Sequence, residues 1–507
     1  MTEPLDARTI PALVQAAGAH FAGAEAVVDR SASGAERRVS FAELAELVRR
    51  AAAGCLARGV EPGDRVAVWG PNTLEWVVAA LGVLTAGAAL VPLNTRFKAD
   101  EAAYILGTSR ARFTFVSPPF LGTDYAAMLA GSHDTVLLDE RIWAHPEAEP
   151  VGVQPDDTGD VIFTSGTTGR PKGVVTTHAQ TLQVFATWSD VVGLSAGDRY
   201  LVVNPFFHTF GYKAGIIACL LRGATIVPQP VFDVPATLEL IARERISVLP
   251  GPPTLYQSIL DHPDRHRFDL SSLRLAVTGA AIVPVALIER MRAELTFHTV
   301  LTAYGLTEAT GTVTMCRRGD DPVTIATTSG RAIPDTEVRV VSTDNEPVPP
   351  GEAGEVVVRG YNVMRGYFED PEATALAIDA DGWLHTGDIG VLDAAGNLRI
   401  TDRLKDMYVV GGFNAYPAEI EQVLATHPAV AESAVVGVPD ERLGEVGKAF
   451  VVPRPGAEVD IDELISFARE RMANYKVPRS VEVVETLPRN ASGKVLKFAL
   501  RDRVSAP

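Results

Sequence analysis

The first part of the chain alternates between two spacings of apolar residues, one helical and one typical of buried strands. Ser40 and Glu43 form a predicted capping box, and apolar residues then recur at helical spacing until Gly59, which can end the helix. A short apolar run at residues 66–69 has the length of a buried strand. The same order of helix and strand continues to residues 113–116, which indicates βαβ units and a mostly parallel sheet.

A second series of buried strands starts at residues 160–163. Further strands are predicted at residues 201–203, 225–227, 275–278 and 300–303, with helical stretches between them. Two such series predict two packed, mostly parallel sheets within one large domain.

The pattern changes twice in the last third of the chain. The strands first become shorter and hairpin-like, with turns at residues 349–351 and 395–397, which predicts a small β subdomain. After Asp402 the helices and strands predict an α+β domain of roughly 100 residues. The expected fold class is therefore α/β, with an N-terminal domain over residues 1–401 and a C-terminal domain over residues 402–507.

Composition narrows the class of protein. The chain has 507 residues, too many for one hydrophobic core, and its 47% apolar and 21% charged residues are typical of a globular protein. The net charge of −17 opposes a nucleic-acid surface, which needs clustered Lys and Arg. The three cysteines have no paired spacing, the start has no secretory pattern, and residues 77–93 predict a buried helix and strand. We therefore expect a cytoplasmic protein without a nucleic-acid partner or an integral membrane segment.

The segment 164–173, Thr-Ser-Gly-Thr-Thr-Gly-Arg-Pro-Lys-Gly, follows a predicted strand and has the composition of a phosphate-binding loop. Glycines let backbone N–H groups approach phosphate oxygens, hydroxyl groups donate hydrogen bonds, and Lys172 supplies positive charge. It is not a P-loop because Lys172 lies between Pro171 and Gly173, and no GxGxxG occurs in the chain. A flexible surface turn is the alternative interpretation of this segment taken alone.

Four later segments accompany the loop. They are Tyr304-Gly305-Leu306-Thr307-Glu308, Thr386-Gly387-Asp388, Asp402-Arg403-Leu404-Lys405-Asp406 and Pro488-Arg489-Asn490-Ala491-Ser492-Gly493-Lys494. With the loop they resemble the adenylate-forming superfamily of acyl-CoA synthetases, luciferases and peptide-synthetase adenylation domains, over nearly the whole chain. The resemblance implies an AMP-forming acyl-CoA ligase that uses ATP, Mg²⁺ and coenzyme A. Acid and ATP would give acyl-AMP and pyrophosphate, and acyl-AMP and coenzyme A would then give acyl-CoA and AMP.

The chemistry of several residues agrees with that resemblance. Tyr304 at a strand end can stack on adenine, and Glu308 offers a hard oxygen ligand to Mg²⁺. Asp388, in a tight Thr-Gly-Asp turn, can accept hydrogen bonds from the ribose hydroxyls, and Arg403 can reach ribose or phosphate. Taken singly, each of these residues has an ordinary structural explanation. The functional interpretation therefore depends on the family resemblance.

The resemblance implies roles for further residues. It makes Lys494 the catalytic lysine that bridges the substrate carboxylate and the α-phosphate. Lys172, Glu308 and His208 are the other expected catalytic residues. Thr167 and Glu308 are the expected metal ligands. The residues expected to bind ATP or coenzyme A are Thr164, Ser165, Gly166, Thr167, Thr168, Gly169, Lys172, Tyr304, Gly305, Thr307, Asp388, Arg403, Gly411 and Gly412.

The segment 205–211 resembles the family's aromatic and histidine motif beside the acid site. The expected lining of that site is Phe207, His208, Gly211, Gly279, Ala280, Ala281 and Gly305. Small residues predominate in the lining segments 211–215, 278–281 and 305–311, namely Gly211, Ala214, Gly215, Gly279, Ala280, Ala281 and Gly311. They suggest room for a medium-chain, long-chain or bulky cyclic acid. Peptide-synthetase domains normally have an aspartate after the phenylalanine of this motif, which pairs with the ammonium group of the amino acid. Because His208 follows Phe207 in this chain, an amino-acid substrate is disfavoured. The sequence also resembles actinobacterial ligases acting on steroid-ring-derived propanoates.

The resemblance further implies a mobile C-terminal lid with its hinge at Lys405. Lys494 would then enter the site for adenylation, and the Gly411-Gly412 loop would enter it for thioester formation. A homodimer and a lysine acetyltransferase acting on Lys494 are additional expectations. Two alternatives stay open: a luciferase-like oxygenase, and an inactive member of the superfamily that binds a nucleotide or acyl ligand without turnover.

Overall fold

The computed structural model describes residues 4–30, 36–146, 151–164, 171–279, 283–403, 406–410, 413–440, 442–472, 474–489 and 495–505. The chain divides into two compact units. The first comprises Met1–Val338, Val358–Leu384 and Gly396–Leu398, and the second comprises Arg339–Val357, His385–Ala395 and Arg399–Pro507. Each unit encloses at least one hydrophobic cluster of its own.

The strands form two series along the chain. The first series is β1 (Glu25–Arg30), β2 (Glu36–Ser40), β3 (Arg65–Trp69), β4 (Ala89–Leu93), β5 (Thr114–Val116), β6 (Thr135–Leu137), β7 (Thr158–Thr164), β8 (Lys172–Thr177), β9 (Arg199–Val202), β10 (Thr225–Pro228), β11 (Leu275–Gly279), β12 (Thr299–Tyr304), β13 (Thr314–Met315) and β14 (Arg331–Ala332). The second is β15 (Thr336–Val341), β16 (Ala353–Gly360), β17 (Gly366–Tyr367), β18 (Leu384–Leu392), β19 (Leu398–Arg403), β20 (Tyr408–Val410), β21 (Phe413–Ala415), β22 (Val430–Asp440), β23 (Gly444–Pro453) and β24 (Ser480–Val483).

Helices alternate with these strands. They are α1 (Ile10–His20), α2 (Phe41–Ala57), α3 (Leu74–Thr85), α4 (Ala99–Ser109), α5 (Tyr125–Leu129), α6 (His178–Val192), α7 (Thr209–Gly211), α8 (Ala218–Arg222), α9 (Val234–Glu244), α10 (Pro253–Leu260), α11 (Val285–Glu294), α12 (Pro322–Thr327), α13 (Pro371–Ala377), α14 (Pro417–Ala425), α15 (Ile461–Arg469) and α16 (Lys497–Ser505). A π-helix spans Tyr212–Ile217, and short 3-10 helices span Glu140–Trp143, Arg265–Arg267 and Thr307–Ala309.

The first unit contains two large sheets. In the first, the order β2-β1-β10-β9 continues through parallel bridges from Tyr200 to Val248 and from Val248 to Leu275 into β11-β12-β13-β14. The second has the order β17-β8-β7-β4-β3-β5-β6. Central pairs such as β10 with β9 and β3 with β4 are parallel, whereas β2, β13, β14, β8 and β17 pair antiparallel. The prediction of two mostly parallel sheets is confirmed.

The local signals in the sequence explain how these elements form. The Ser40 hydroxyl accepts from the Glu43 N–H and the Glu43 carboxylate accepts from the Ser40 N–H, which completes the predicted capping box of α2. Helix α2 ends before Gly59, whose φ of +77° is left-handed. The apolar run at residues 77–93 is the buried part of α3 followed by the buried strand β4. Among the described residues, none of the helices combines the length and apolar character needed to span a membrane.

The second unit contains smaller sheets. Strands β15, β16, β18 and β19 form one sheet in that order, and β21-β20-β23-β22 form another, with β24 parallel beside β23. The predicted turns near Gly351 and Gly396 are present, with φ of +93° and +79°. The prediction of shorter strands is wrong for β18, which has nine residues.

The domain boundary between residues 401 and 402 stays a prediction. Lys405, the predicted hinge, lies outside the described residues.

Candidate active site

Pairing of β7 with β8 places the two ends of the predicted phosphate loop side by side. These strands are antiparallel, and Thr164 is the register partner of Lys172. The hairpin begins where the sequence predicted a strand followed by a loop. Ser165, Gly166, Thr167, Thr168 and Gly169 lie between the two strands, outside the described residues.

Glu308 reaches this hairpin from the turn that follows β12. Tyr304 is the last residue of β12, and Glu308 lies in the 3-10 helix Thr307–Ala309. Glu308 Oε1 accepts a hydrogen bond from Thr164 Oγ1 at 3.0 Å. The backbone O of Glu308 accepts from the Met364 N–H at 2.8 Å, which ties the turn to the chain before β17. The structure thus brings together the carboxylate predicted to bind metal and the start of the predicted phosphate loop.

Tyr367 completes the cluster and was missed by the sequence analysis. Its hydroxyl donates to Glu308 Oε1 at 3.2 Å, and Lys172 Nζ lies 5.0 Å from the centroid of its ring. Burial, and then the charge of Glu308, raise the pKa of the Tyr367 phenol above its usual range, so it remains a donor. Tyr367 reaches the site through pairing of the two-residue strand β17 with β8. A strand this short has no apolar periodicity from which it could be predicted.

The chemistry of the cluster suits a magnesium nucleotide. In the part of the chain that the structure describes, no group of three or more His, Cys, Asp or Glu side chains could hold a metal ion. Mg²⁺ on ATP needs only one or two protein carboxylates, because phosphate oxygens and water complete its octahedron. Glu308 can be such a ligand, and Lys172 supplies compact charge for the phosphates.

The predicted acid-site segment begins with a loop that is held in the core. Phe206 is fully buried and its ring lies 5.1 Å from that of Trp76. Asn72 fixes the loop, since its Oδ1 accepts from the Phe206 N–H at 2.8 Å and its Nδ2 donates to the backbone O of Asn204 at 2.9 Å. The buried anchor is therefore Phe206, and the next two residues are left for other contacts.

Phe207 is half-buried and His208 is exposed. His208 caps α7, because its Nδ1 accepts from the Phe210 N–H at 3.2 Å, which assigns the ring proton to Nε2. The Nε2–H is thus the group that His208 can offer to a bound acid.

The glycines of the predicted lining are required by the backbone. A Cβ on Gly211 would lie 2.1 Å from the backbone O of Pro205, and one on Gly305 would lie 2.1 Å from the backbone O of Gly311. A Cβ on Gly279 would lie 2.8 Å from the backbone O of Ala303. Backbone packing alone therefore accounts for these three glycines, and their part in lining an acid site stays a prediction. Ala280 and Ala281 lie outside the described residues.

The predicted nucleotide and acid segments adjoin at Gly311. A Cβ built there would lie 3.2 Å from Thr209 Cβ, and the residue has a left-handed φ of +99°. Gly305, Thr307 and Glu308 belong to the turn that Gly311 closes, whereas Thr209 directly follows His208. The turn after β12 is thus in contact with the start of α7.

Asp388 belongs to the second unit and does not lie in a tight turn as predicted. It is a buried residue of β18. Gly387, before it, has a left-handed φ of +67°, and the Asp388 N–H donates to Thr386 Oγ1 at 3.1 Å. The Thr-Gly-Asp sequence therefore makes a local irregularity within a strand. Arg403 is the last residue of β19, and Gly411, Gly412, Lys405 and Lys494 lie outside the described residues.

Two family models match this chain. The model for the AMP-binding enzyme matches residues 14–368, and the model for the AMP-binding enzyme C-terminal domain matches residues 419–494. The chain belongs to the AMP-binding enzyme family.

Similar proteins of known activity refine that assignment. The chain is 52% identical, over 97% of its length and 98% of the relative, to the 3-[(3aS,4S,7aS)-7a-methyl-1,5-dioxo-octahydro-1H-inden-4-yl]propanoyl:CoA ligase of Rhodococcus jostii (strain RHA1). It is 53% identical, over 98% and 99%, to the ligase of the same name from Mycobacterium tuberculosis (strain ATCC 25618 / H37Rv). The crystal structure of ATP-bound MatB from Rhodopseudomonas palustris superimposes with a TM-score of 0.88 at 30% identity, covering 98% of this chain and 99% of that one.

The chain is an ATP-dependent, AMP-forming acyl-CoA ligase, an acid–thiol ligase that uses ATP, Mg²⁺ and coenzyme A. The alternative of an inactive binding protein is not favoured.

Proposed function

We propose that the acid is a bulky, ring-containing propanoate of the steroid-derived class, such as 3-(7a-methyl-1,5-dioxo-octahydroinden-4-yl)propanoate. The observation that carries this proposal is the identity of 52–53% to the two ligases named for that acid. Identity falls to 42% for a feruloyl-CoA synthase and to 36% for a long-chain fatty-acid ligase. The glycine-rich lining lends no support to the proposal, because those glycines serve backbone packing.

In the first half-reaction a carboxylate oxygen of the acid attacks the α-phosphorus of ATP. A P–O bond forms to the acid, the bond to the bridging oxygen breaks, and pyrophosphate leaves. Two anions approach each other in this step, so fixed positive charge dominates the rate enhancement. We assign that charge to Lys172 and Lys494, with Glu308 and Thr167 as the protein ligands of Mg²⁺. Bound Mg²⁺ neutralises phosphate charge as that charge develops.

The cluster around Glu308 supports its assignment. Thr164 and Tyr367 both donate to Oε1, which fixes the carboxylate orientation and leaves the second oxygen for another ligand. Ring contact of Tyr367 with Lys172 holds the ammonium beside the same hairpin. We further assign adenine stacking to Tyr304 and ribose binding to Asp388 and Arg403.

In the second half-reaction the thiol of coenzyme A releases its proton to solvent and its sulphur attacks the acyl carbonyl carbon. A C–S bond forms, the bond to the phosphate oxygen breaks, and AMP leaves. We propose that the C-terminal domain rotates about Lys405 between the two steps, so that the Gly411-Gly412 loop takes the place of Lys494. Support comes from the sequence motifs around these residues.

Three further expectations complete the proposal, concerning location, acetylation and oligomeric state. A reducing, cytoplasmic location is supported by the unpaired, buried Cys55, Cys219 and Cys316. Acetylation of Lys494 by a lysine acetyltransferase would remove its charge and stop adenylation. The third expectation is a homodimer, which light scattering of the purified protein tests.

The substrate proposal is tested with a panel of acids. Purified protein is mixed with ATP, Mg²⁺ and coenzyme A and with the ring propanoate, ferulate, dodecanoate or acetate, and acyl-CoA is identified by mass spectrometry. We expect kcat/KM for the ring propanoate to exceed the others by at least about 10-fold, the discrimination that a well-filled apolar pocket supplies. A higher value for ferulate or dodecanoate would overturn the substrate class and leave the ligase assignment standing.

A further inference from the structure

The segment that carries the proposed acid-site residues continues into a π-helix. Helix α7 (Thr209–Gly211) passes directly into the π-helix Tyr212–Ile217, and the Ala218 N–H donates to the backbone O of Lys213, five residues earlier. One extra residue per turn is unfavourable in a regular helix, and π-helices recur at functional sites. The π-helical geometry of this segment therefore requires a structural or functional explanation.

A buried charge cluster lies on this π-helix. Lys213 Nζ lies 3.0 Å from Asp160 Oδ2 and donates to Thr176 Oγ1 at 2.7 Å, and the Thr176 hydroxyl donates to Asp160 Oδ1 at 2.7 Å. All three side chains are fully buried. Asp160 on β7 and Thr176 on β8 are register partners, so Lys213 binds both strands of the hairpin.

The opposite face of the π-helix packs on the other sheet. A Cβ on Gly215 would lie 3.0 Å from Cγ1 of Val202, which belongs to β9. The π-helix thus lies between the two large sheets of the first unit, with Gly215 against one and Lys213 bonded to the other. Its position determines where residues 207–211 lie relative to the β7–β8 hairpin.

The same hairpin carries the phosphate end of the site. Thr164 and Lys172 lie four residues along their strands from Asp160 and Thr176, or roughly 13 Å at the rise of an extended strand. Lys213 lies five residues after His208. One ion pair therefore connects the strands that end at the nucleotide groups with the helix that begins at the acid-site groups.

Stability alone does not explain the cluster. Desolvation lowers the pKa of Lys213 and the charge of Asp160 opposes that shift, so burying this pair carries an energetic cost. A well-packed apolar pair of similar volume is often as stable as a buried ion pair, or more so. What an ion pair with a shared hydroxyl adds is a directional contact that fixes one arrangement.

We propose that Lys213, Asp160 and Thr176 form a positioning triad that sets the acid-site segment 207–211 against the β7–β8 hairpin, so that the bound carboxylate meets the α-phosphate. Lys213 acts through residues 207–211 and does not touch the substrate. This inference rests on the proposed location of the acid site in that segment. It does not depend on which acid is the substrate.

Two variants test the triad without leaving an unpaired buried charge. Lys213→Met combined with Asp160→Asn removes both charges at nearly constant volume, and Thr176→Val removes the shared hydroxyl. Thr176→Ser is the matched control because it keeps the hydroxyl. Arg222→Met is a second control, since it removes another buried cation, bonded to Ser189 Oγ, from α8 just beyond the π-helix. The thermal midpoint and the KM values for ATP and for the acid that the unsubstituted enzyme turns over fastest are measured for each protein.

We expect the double variant and Thr176→Val to raise the KM for the acid on the order of 10-fold and to lower kcat, as displaced reacting groups do. The KM for ATP should change less than about 2-fold, because the phosphate groups stay on an intact hairpin. Thr176→Ser should keep the acid KM close to that of the unsubstituted enzyme. Arg222→Met should lower the thermal midpoint, but it should not raise the KM for the acid more than the KM for ATP.

Acid and ATP KM values that move together, or that both stay unchanged in folded Thr176→Val, would overturn the triad as a positioning device. If the double variant does not fold, the comparison of Thr176→Val with Thr176→Ser decides alone. Turnover of ferulate in place of the ring propanoate would refute only the substrate proposal, and the same measurements would then be made with ferulate.

Discussion

The hydroxyl of Tyr367 donates to Glu308 Oε1 at 3.2 Å, although 59 residues separate them in the sequence. The two residues come together because β17 pairs with β8 and thereby places Tyr367 beside the hairpin that also carries Thr164. One carboxylate oxygen thus receives two hydroxyl donors. A change to either Glu308 or Tyr367 should therefore alter how the site handles the magnesium nucleotide.

Glu308→Gln should reduce adenylation at limiting Mg²⁺ by on the order of 10²-fold or more, because it removes the charge of the proposed metal ligand at almost constant volume. Excess Mg²⁺ should recover part of the rate. Pyrophosphate release is measured over a range of Mg²⁺ concentrations. Glu369→Gln is the control, since Glu369 is a surface residue paired with Arg110. An unchanged Mg²⁺ dependence in Glu308→Gln would exclude the ligand role.

Tyr367→Phe and Tyr367→Leu separate the two contacts of Tyr367. The phenylalanine variant loses the hydrogen bond to Glu308 and keeps the ring beside Lys172, and we expect a loss in kcat/KM for MgATP of about 10-fold. The leucine variant also loses the ring, which should cost a further factor of about 3. Steady-state kinetics with varied MgATP provides the comparison. Equal losses in the two variants would show that the ring contact with Lys172 is unimportant.

Lys494→Ala and Lys405→Pro should affect different half-reactions. Lys494 is assigned to adenylation alone, so its loss should nearly abolish pyrophosphate release and spare conversion of synthetic acyl-adenylate to acyl-CoA. Proline at Lys405 restricts φ to about −65° and should slow the second half-reaction more than the first. The two steps are assayed separately. Equal slowing of both steps by both substitutions would contradict the alternating use of one site.

His178 predicts how stability depends on pH. Burial lowers its pKa to about 4 from an ordinary 6.5, and its Nδ1 accepts from the Ile10 N–H at 3.4 Å. Between these values the unfolded chain holds a proton that the folded chain excludes, so stability rises with pH across this window and is lost as pH falls through it. Across this pH window, His178 changes the free energy of unfolding by roughly 3 kcal/mol.

His178→Asn keeps a side-chain acceptor and cannot be protonated. The difference in free energy of unfolding between the variant and the unsubstituted protein should therefore shrink as the pH falls from 6.5 to about 4. Urea unfolding at several pH values gives this difference, and His266→Asn, at an exposed histidine, serves as the control. A difference that is constant over this window would show that His178 is protonated in the folded state.

Local signals in the sequence were sufficient for the order of helices and strands. The capping box at Ser40 and the apolar runs at β3, β4 and β12 act between near neighbours, and such patterns are visible in the sequence. Tyr367 and Lys213 were not found because their partners come from strands and helices that are distant in the chain. Long-range pairing leaves no periodicity at either residue.

One wrong prediction and one untested prediction concern residues whose composition fits more than one structural role. Thr386, Gly387 and Asp388 have the composition of a turn, yet the left-handed Gly387 is accommodated within β18. Gly211 and Gly305 have the composition of a roomy pocket, yet each is a point where two backbones meet. A glycine's role depends on what its missing Cβ would touch, and only the structure gives that.

The backbone contacts at Gly211 and Gly305 also limit how the selectivity of this enzyme can be engineered. Any side chain at either position would collide with a carbonyl oxygen at 2.1 Å, so substitutions there would remove folded protein and would not reshape the pocket. A mutational library that varied Gly211 and Gly305 would therefore contain many inactive variants. Thr209 and Phe185 are better targets, because their side chains border Gly311, where the proposed nucleotide and acid segments meet. Variation there would change side chains beside the proposed acid segment and leave both backbone contacts unchanged.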